Sequence, residues 1–305
     1  MVDLPRVGTA GWSYPHWNGV VYPTPLPRGF HPLDFLARHF NVVEINSSFY
    51  QALKPEVVKL WMRKTEVNPQ FQFTAKLHQR FTHARALEES EVAAFKEGLW
   101  PLLRGRKLGA VLMQFPWAFR FTGENREFLI KLRRAFHEFP LVAEMRHSSW
   151  LAEDAIGTFL DYRIGFCNID QPDYTRAMPP TAYLTSGIGY VRLHGRNPKN
   201  SLGGYDRGFS GQTLARLRQH DYLYSGAELE EWIKRIERIH RYAESTFVIF
   251  NNDAAGKSVV NALQLQSMLG APGVAAPPDL RRGYPVELER FRPHRFEQEL
   301  LFPAA

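Results

Sequence analysis

Ionisable and amide side chains recur two residues apart near the ends of short apolar runs: Glu44 with Asn46, Thr74 with Lys76, Glu144 with Arg146, Asn168 with Asp170, Arg192 with His194, and Asn251 with Asp253, while Gln114 stands alone. A spacing of two puts both members of a pair on one face of a strand. Charge inside such apolar sequence is expensive to bury, so it demands either a partner or a task. Glu44, Lys76, Glu144, Asp170 and His194 are the candidate catalytic groups. Glu144 would act as general acid or base if burial raises its pKa, and would stay ionised to orient a substrate if Arg146 and Lys76 offset that burial. His194 offers an imidazole near neutral pH. Lys76 could form a Schiff base or hold charge if desolvated among cations, or simply salt-bridge to Glu44 or Glu144.

A second set is suited to binding. Arg146, Arg192 and Arg196 could clamp a phosphate or carboxylate bidentately, although Glu144 and Arg146 could also merely neutralise each other, and His194 could be a satisfied core group. Trp12 and Tyr50 are placed to stack on a ring, with Tyr14, Trp17 and Phe49 nearby. Asn46, Gln114, Asn251 and Asn252 supply neutral polar contacts. In N-N-D-A-A-G-K-S a nucleotide P-loop is excluded, because its first glycine would fall on Asn251; the backbone around Gly256 remains a candidate anion contact at a helix start.

These residues suggest an enzyme acting on a small anionic substrate by acid–base chemistry without a cofactor, a hydrolase or a lyase or isomerase. One alternative is a metal-dependent phosphodiesterase or isomerase, with Glu44, Glu144, Asp170 and His194 ligating a divalent ion. Another is a noncatalytic binder of nucleic acid or a metabolite, drawn from the charge: 38 Lys and Arg against 31 Asp and Glu leave +7 on 305 residues. That charge is scattered, and no nucleic-acid module is recognisable. Nothing in the sequence sets the oligomeric state.

Elements must bring these side chains together. Eight strand-length apolar runs cover 6–12, 42–50, 71–77, 109–116, 141–147, 164–170, 190–195 and 246–253, with starts 23 to 38 residues apart and 56 before the last. Helical stripes fall between them: Val92, Phe95, Leu99 and Leu102; Phe128, Leu129, Leu132 and Phe136; Leu229, Trp232, Ile233, Ile236 and Ala243. Repeating strand–helix units predict an α/β fold, a (β/α)8 TIM-type barrel whose strand ends meet at a C-terminal mouth. A doubly wound sheet is the alternative, but its glycine-rich turn after the first strand is missing. The barrel is expected over 1–270 as a single domain, with a proline-containing linker and C-terminal tail over 271–305. The stretch from Arg196 to Gly226 exceeds an ordinary connection and reads as a lid. Cys167, the only cysteine, precludes an intrachain disulfide or cysteine-rich zinc site and reads as a buried thiol. The absence of a long apolar span and of a signal-like start points to a cytoplasmic protein with no membrane association.

G-T-A-G-W-S-Y-x-x-W, V-E-I-N-S-S-F-Y, F-x-F-T-A-K, L-x-Q-F-P, A-E-M-R-H-x-S-W, Y-V-R-L-H-G-R and F-N-N-D-A-A-G-x-x-x-x-N-A follow one another from Gly8 to about Leu265. In this order they resemble the YecE-like family, domain-of-unknown-function family 72. The resemblance implies a TIM-type barrel and no assigned reaction.

Overall fold

The computed structural model describes residues 4–197 and 220–293. In chain order its first half contains β1 (Arg6–Ala10), α1 (Pro32–Ala37), β2 (Val42–Ile45), α2 (Pro55–Lys64), β3 (Gln72–Lys76), α3 (Gln79–Thr82), α4 (Glu89–Arg104) and β4 (Leu108–Gln114). There follow α5 (Gly123–Ala135), β5 (Leu141–Glu144), α6 (Glu153–Asp161), β6 (Gly165–Asp170), β7 (Ile188–Leu193), α7 (Gly226–His240), β8 (Ser245–Phe250) and α8 (Lys257–Met268). The eight long strands pair in sequence order, all parallel, and β8 returns to β1 with Gly8 opposite Ile249, so the sheet closes into the expected (β/α)8 barrel.

The strands form where the sequence can tolerate burial on both faces. All of β2, V-V-E-I, and all of β6, G-F-C-N-I-D, are buried, as helix-covered parallel strands require. The helices turn their apolar stripes inward: Phe95, Leu99 and Leu102 on α4, Leu129 and Leu132 on α5, and Leu229, Trp232 and Ile236 on α7 are buried. Ala243 lies beyond the end of α7 and is not part of its stripe. Ser225 and Glu228 start α7 with a reciprocal capping box, and Thr122 caps α5. Among the described residues no helix is long and apolar enough to cross a membrane.

Three departures from the sequence reading shape the mouth. Several strands end earlier than expected: β2 stops at Ile45, and Ser47–Phe49 turn as a single 3-10 loop. Ser48 Oγ donates to the Lys76 carbonyl at 2.7 Å and so ties that turn to the end of β3. The sixth crossover, residues 171–187, carries no helix. Asn168 holds this segment in place: its Oδ1 accepts from Thr181 Oγ1 and the Tyr183 amide, and its Nδ2 donates to the Tyr183 carbonyl. Pairing between β3 and β4 slips by one residue at Phe73 and Thr74, after which Gln114 lies opposite Glu144 on β5. At the slip, a Cβ on Gly109 would sit 2.3 Å from the ring of Phe247.

Of the expected lid, residues 198–219 lie outside the described residues, as does the tail from 294 onward. Beyond residue 270, β9 (Ala275–Ala276) pairs with β10 (Arg292–Pro293), with α9 (Pro278–Gly283) between them. Leu280 and Leu288 are fully buried against the barrel shell, and the Tyr284 hydroxyl donates to the Ala255 carbonyl.

Candidate active site

Alternation along each strand decides which side chains enter the barrel. Glu44 on β2, Thr74 and Lys76 on β3, Gln114 on β4, Glu144 on β5 with Arg146 just beyond it, and Arg192 on β7 with His194 beyond it converge near the C-terminal ends. Arg192 is the hub and is 1% exposed. Its Nη2 lies 2.7 Å from Glu44 Oε1, and its Nη1 lies 2.6 Å from Glu144 Oε2. Arg146 Nη2 reaches Glu144 Oε1 at 2.6 Å, and His194 Nε2 lies 3.4 Å from the same oxygen. The Tyr190 hydroxyl is 2.9 Å from both Glu44 Oε2 and Thr74 Oγ1; with its one proton given to the carboxylate, it accepts from the threonine.

The electrostatics follow from this crowding. Burial acts to raise the Glu144 pKa, but Arg146, Arg192 and His194 outweigh it and hold the carboxyl well below the usual range. The cations therefore win at Glu144, which is ionised and fully engaged. For His194, burial comes first and the positive field of Arg146 second, and together they push the ring well below its ordinary 6.5, against the pull of Glu144. The neutral ring has its Nδ1 3.0 Å from Asn251 Nδ2; with that amide nitrogen donating, the ring proton sits on Nε2, facing Glu144.

Lys76 differs from its neighbours. It is 8% exposed, its Nζ lies 4.1 Å from the centroid of the Phe49 ring, and among the described residues no carboxylate comes within ion-pair distance. The salt bridge to Glu44 or Glu144 expected as the structural alternative is not formed. Burial, followed by the positive field of Arg192, lowers its pKa from 10.5 to about 7, with Glu44 and Glu144 opposing and Arg146 adding to the fall. The Phe49 ring is flanked by His83, edge-on at 5.2 Å, whose pKa burial and then the charges of Lys76 and Arg146 lower to about 4.

Several candidates stand elsewhere. Arg192 has both terminal nitrogens committed to carboxylates and has no free face for a substrate's charge. Asp170 faces the helices: strand parity on β6 sends Cys167 and Ile169 inward, and the Asp170 carboxylate accepts from Trp232 Nε1 on α7 at 2.7 Å and pairs with Arg196 at 2.9 Å. Arg196 is further neutralised by Glu228 and Glu231, so it belongs to that outer cluster. Asn252 is buried and donates to the Tyr222 carbonyl and to Asn261 Oδ1, a link between the strand end and α8. Gly256 is buried with a φ of +77°, and its N–H donates to the Asp253 carbonyl at 3.2 Å. Trp12 packs edge-on against Trp61 of α2, and Trp17 is fully buried. Tyr50, 38% exposed, and the partly exposed Asn46 and Asn251 line the rim.

Sequence reasoning missed Gln171, the residue that speaks for the sixth strand at the mouth. Its Oε1 accepts from Arg146 Nη1 at 3.2 Å, and its Nε2 donates to the carbonyls of Arg146 and Met178. It also missed Tyr190 and His83. Tyr190 is two residues before Arg192, so the spacing of two was the available signal; His83 sits in a loop and left none.

The ligand set imagined for a divalent ion does not assemble. Asp170 is on the far side of the sheet, and Arg192 occupies Glu44 and Glu144; among the described residues no three His, Cys, Asp or Glu side chains gather to hold a metal. What the arrangement offers chemically is an amine that titrates near neutrality, at the floor of a mouth with three cations, Lys76, Arg146 and Arg192, against two carboxylates.

Residues 6–282 match the family described as protein of unknown function DUF72. The chain belongs to the DUF72 family. Among DUF72 relatives and solved structures, it is 28% identical to UPF0759 protein YunF of Bacillus subtilis, over 86% of this chain and 94% of that one. It is 31% identical to UPF0759 protein YecE of Escherichia coli over 48% of this chain and 50% of that protein. The crystal structure of a DUF72 family protein from Thermotoga maritima superposes with a TM-score of 0.73 at 29% identity, covering 88% of this chain and 99% of the other. A DUF72 family protein from Enterococcus faecalis gives 0.68 at 27% identity, covering 78% and 88%.

Proposed function

We propose that this DUF72 barrel is an enzyme that takes a small anionic substrate at its C-terminal mouth, with Lys76 as the acid–base group. The observation that carries the reading is Lys76 itself: a buried lysine at the C-terminal end of β3 with no carboxylate in ion-pair range among the described residues, its amine over the Phe49 ring and in the positive field of Arg192 and Arg146. Glu144, held ionised by Arg146 and Arg192, serves to keep those guanidinium groups in place and does not move a proton. His194 has no exposed surface and supports Glu144 from behind. Gln114, Asn46 and Asn251 provide neutral hydrogen bonds around the bound anion, and Arg146 shares its charge. An acid–base group is most effective when its pKa lies near the working pH, and about 7 meets that condition.

The test is anion-dependent stabilisation measured by thermal unfolding at constant ionic strength, with phosphate, sulfate and acetate as probes. Because an anion favours the ammonium form, stabilisation of the wild type is expected to be larger at pH 6 than at pH 8.5 and to be lost in Lys76→Met. Equal stabilisation of the wild type and Lys76→Met would overturn the reading.

A further inference from the structure

Lys76 has the surroundings of a nucleophile as well as those of an acid–base group. Lys96 and Lys257 hold carboxylates, Glu138 and Asp221. Lys76 instead lies buried to its tip, with its backbone carbonyl held by Ser48 and its amine over an aromatic face. Such a setting withdraws both water and counter-charge from an ammonium, which is how an amine becomes reactive in a protein. We propose that Lys76 forms an imine with a small aldehyde or ketone that carries an anionic group, a proposal that rests on the anion-binding reading of the mouth. The ammonium first releases one proton to solvent. The amine nitrogen then attacks the carbonyl carbon, and the carbonyl π pair moves to oxygen. Proton transfer from nitrogen to oxygen gives a neutral carbinolamine; a proton returned from solvent to its hydroxyl lets the oxygen leave as water, and the nitrogen lone pair closes the C=N bond of the iminium. Overall, ammonium plus carbonyl gives iminium plus water, with no oxidant or reductant consumed.

The surroundings suit each stage. Lys76 is 8% exposed, an opening that suits a small carbonyl compound and no larger one. The Phe49 face that carries the ammonium can carry the iminium charge equally well. Arg146, just past the end of β5, adds positive charge to the surroundings of Lys76 and so draws the substrate's carboxylate or phosphate toward Nζ. The lowered pKa of Lys76 supplies free amine at neutral pH, where an ordinary lysine has almost none.

Imine trapping tests the proposal. The full chain is incubated at pH 7 with sodium cyanoborohydride and one of three probes, pyruvate, dihydroxyacetone phosphate or neutral acetone, and the reduced adduct is located by peptide mass mapping. Lys76 is expected to be labelled by one or both anionic probes about 100-fold faster than surface lysines such as Lys59 and Lys234. Which of the two reacts distinguishes a carboxylate from a phosphate substrate. Acetone is expected to label Lys76 slowly, and inorganic phosphate to slow labelling by the anionic probes. Labelling confined to surface lysines would overturn the imine, and equal labelling by acetone would overturn the anionic substrate class. If Lys76 stays unlabelled while phosphate still stabilises the wild type and not Lys76→Met, the imine alone falls. If phosphate stabilises neither protein, the anion site falls with it.

Discussion

Two arginine–carboxylate networks stand on opposite faces of the same sheet, four residues apart in sequence. Inside the barrel, Arg192 joins Glu44 and Glu144 with no water-exposed atom of consequence; outside it, Arg196 joins Asp170, Glu228 and Glu231 while remaining 29% exposed. The residue types are the same, and their surroundings set what each can do. The inner ions have no solvent to fall back on, so each depends on its partners, whereas the outer arginine can exchange a carboxylate for water. The inner network also opens onto Lys76 and the mouth. The outer one fastens α7 to the end of β6 through Trp232.

Carboxylate-to-amide exchanges at matched positions sharpen this contrast. Glu144→Gln is expected to lose about 3–5 kcal/mol at pH 7 by urea unfolding, since Arg146 and Arg192 would be left buried without their shared counter-charge. The folded pKa of Glu144 is depressed, so its contribution is complete above the ordinary 4.5 and declines as pH falls below it; the variant should lack that part of the acid limb. A stability within experimental error of wild type would erase the distinction between the two networks.

Lys76→Met should act in the opposite direction. Folding depresses this lysine's pKa, so the burden of burying its ammonium is fully present below about pH 7 and fades as pH rises toward 10.5. Substitution by a similarly sized apolar side chain is therefore expected to stabilise the fold by roughly 3 kcal/mol at pH 6, with the gain shrinking steadily toward pH 10. A pH-independent effect, read from the same urea midpoints, would mean that Lys76 is not held as a strained cation.

The smallest effect is expected from Asp170→Asn, about 1 kcal/mol at pH 7, because the amide still accepts from Trp232 and Arg196 keeps Glu228 and Glu231. Burial raises the Asp170 pKa despite Arg196 and Trp232. Its contribution therefore grows as pH falls through the range just above 3.8, the reverse of Glu144. Anion stabilisation at the mouth should be unchanged in this variant.

The barrel was legible because parallel strands buried on both faces leave long apolar runs, and because charges in such runs stand out. The inward charged residues of β2, β3, β5 and β7 were legible for the same reason. On β6 the rule misled: Asn168 and Asp170 show the same spacing of two, but that parity faces outward, where Asn168 secures a crossover lacking a helix and Asp170 meets α7. A hydrogen-bonding task for a missing helix leaves the same sequence mark as a catalytic task. Gln171 was hidden by one residue, past the strand where alternation no longer applies. The slip between β3 and β4 was equally invisible, since a one-residue bulge alters pairing without altering composition.

The Arg192 bridge also bears on how the chain folds. Glu44 and its counter-ion are separated by 148 residues, and Glu144 and the same arginine by 48. A nascent chain that has produced five or six strands holds two glutamates destined for a dry interior and not yet the guanidinium that compensates both. Such a partial barrel has electrostatic reason to stay open and hydrated. Arrival of β7 removes that resistance at once for two strands that are not neighbours in the ring, and β8 then completes it against β1. Closure is thereby concentrated into a late cooperative step, with half-barrel fragments disfavoured as stable products.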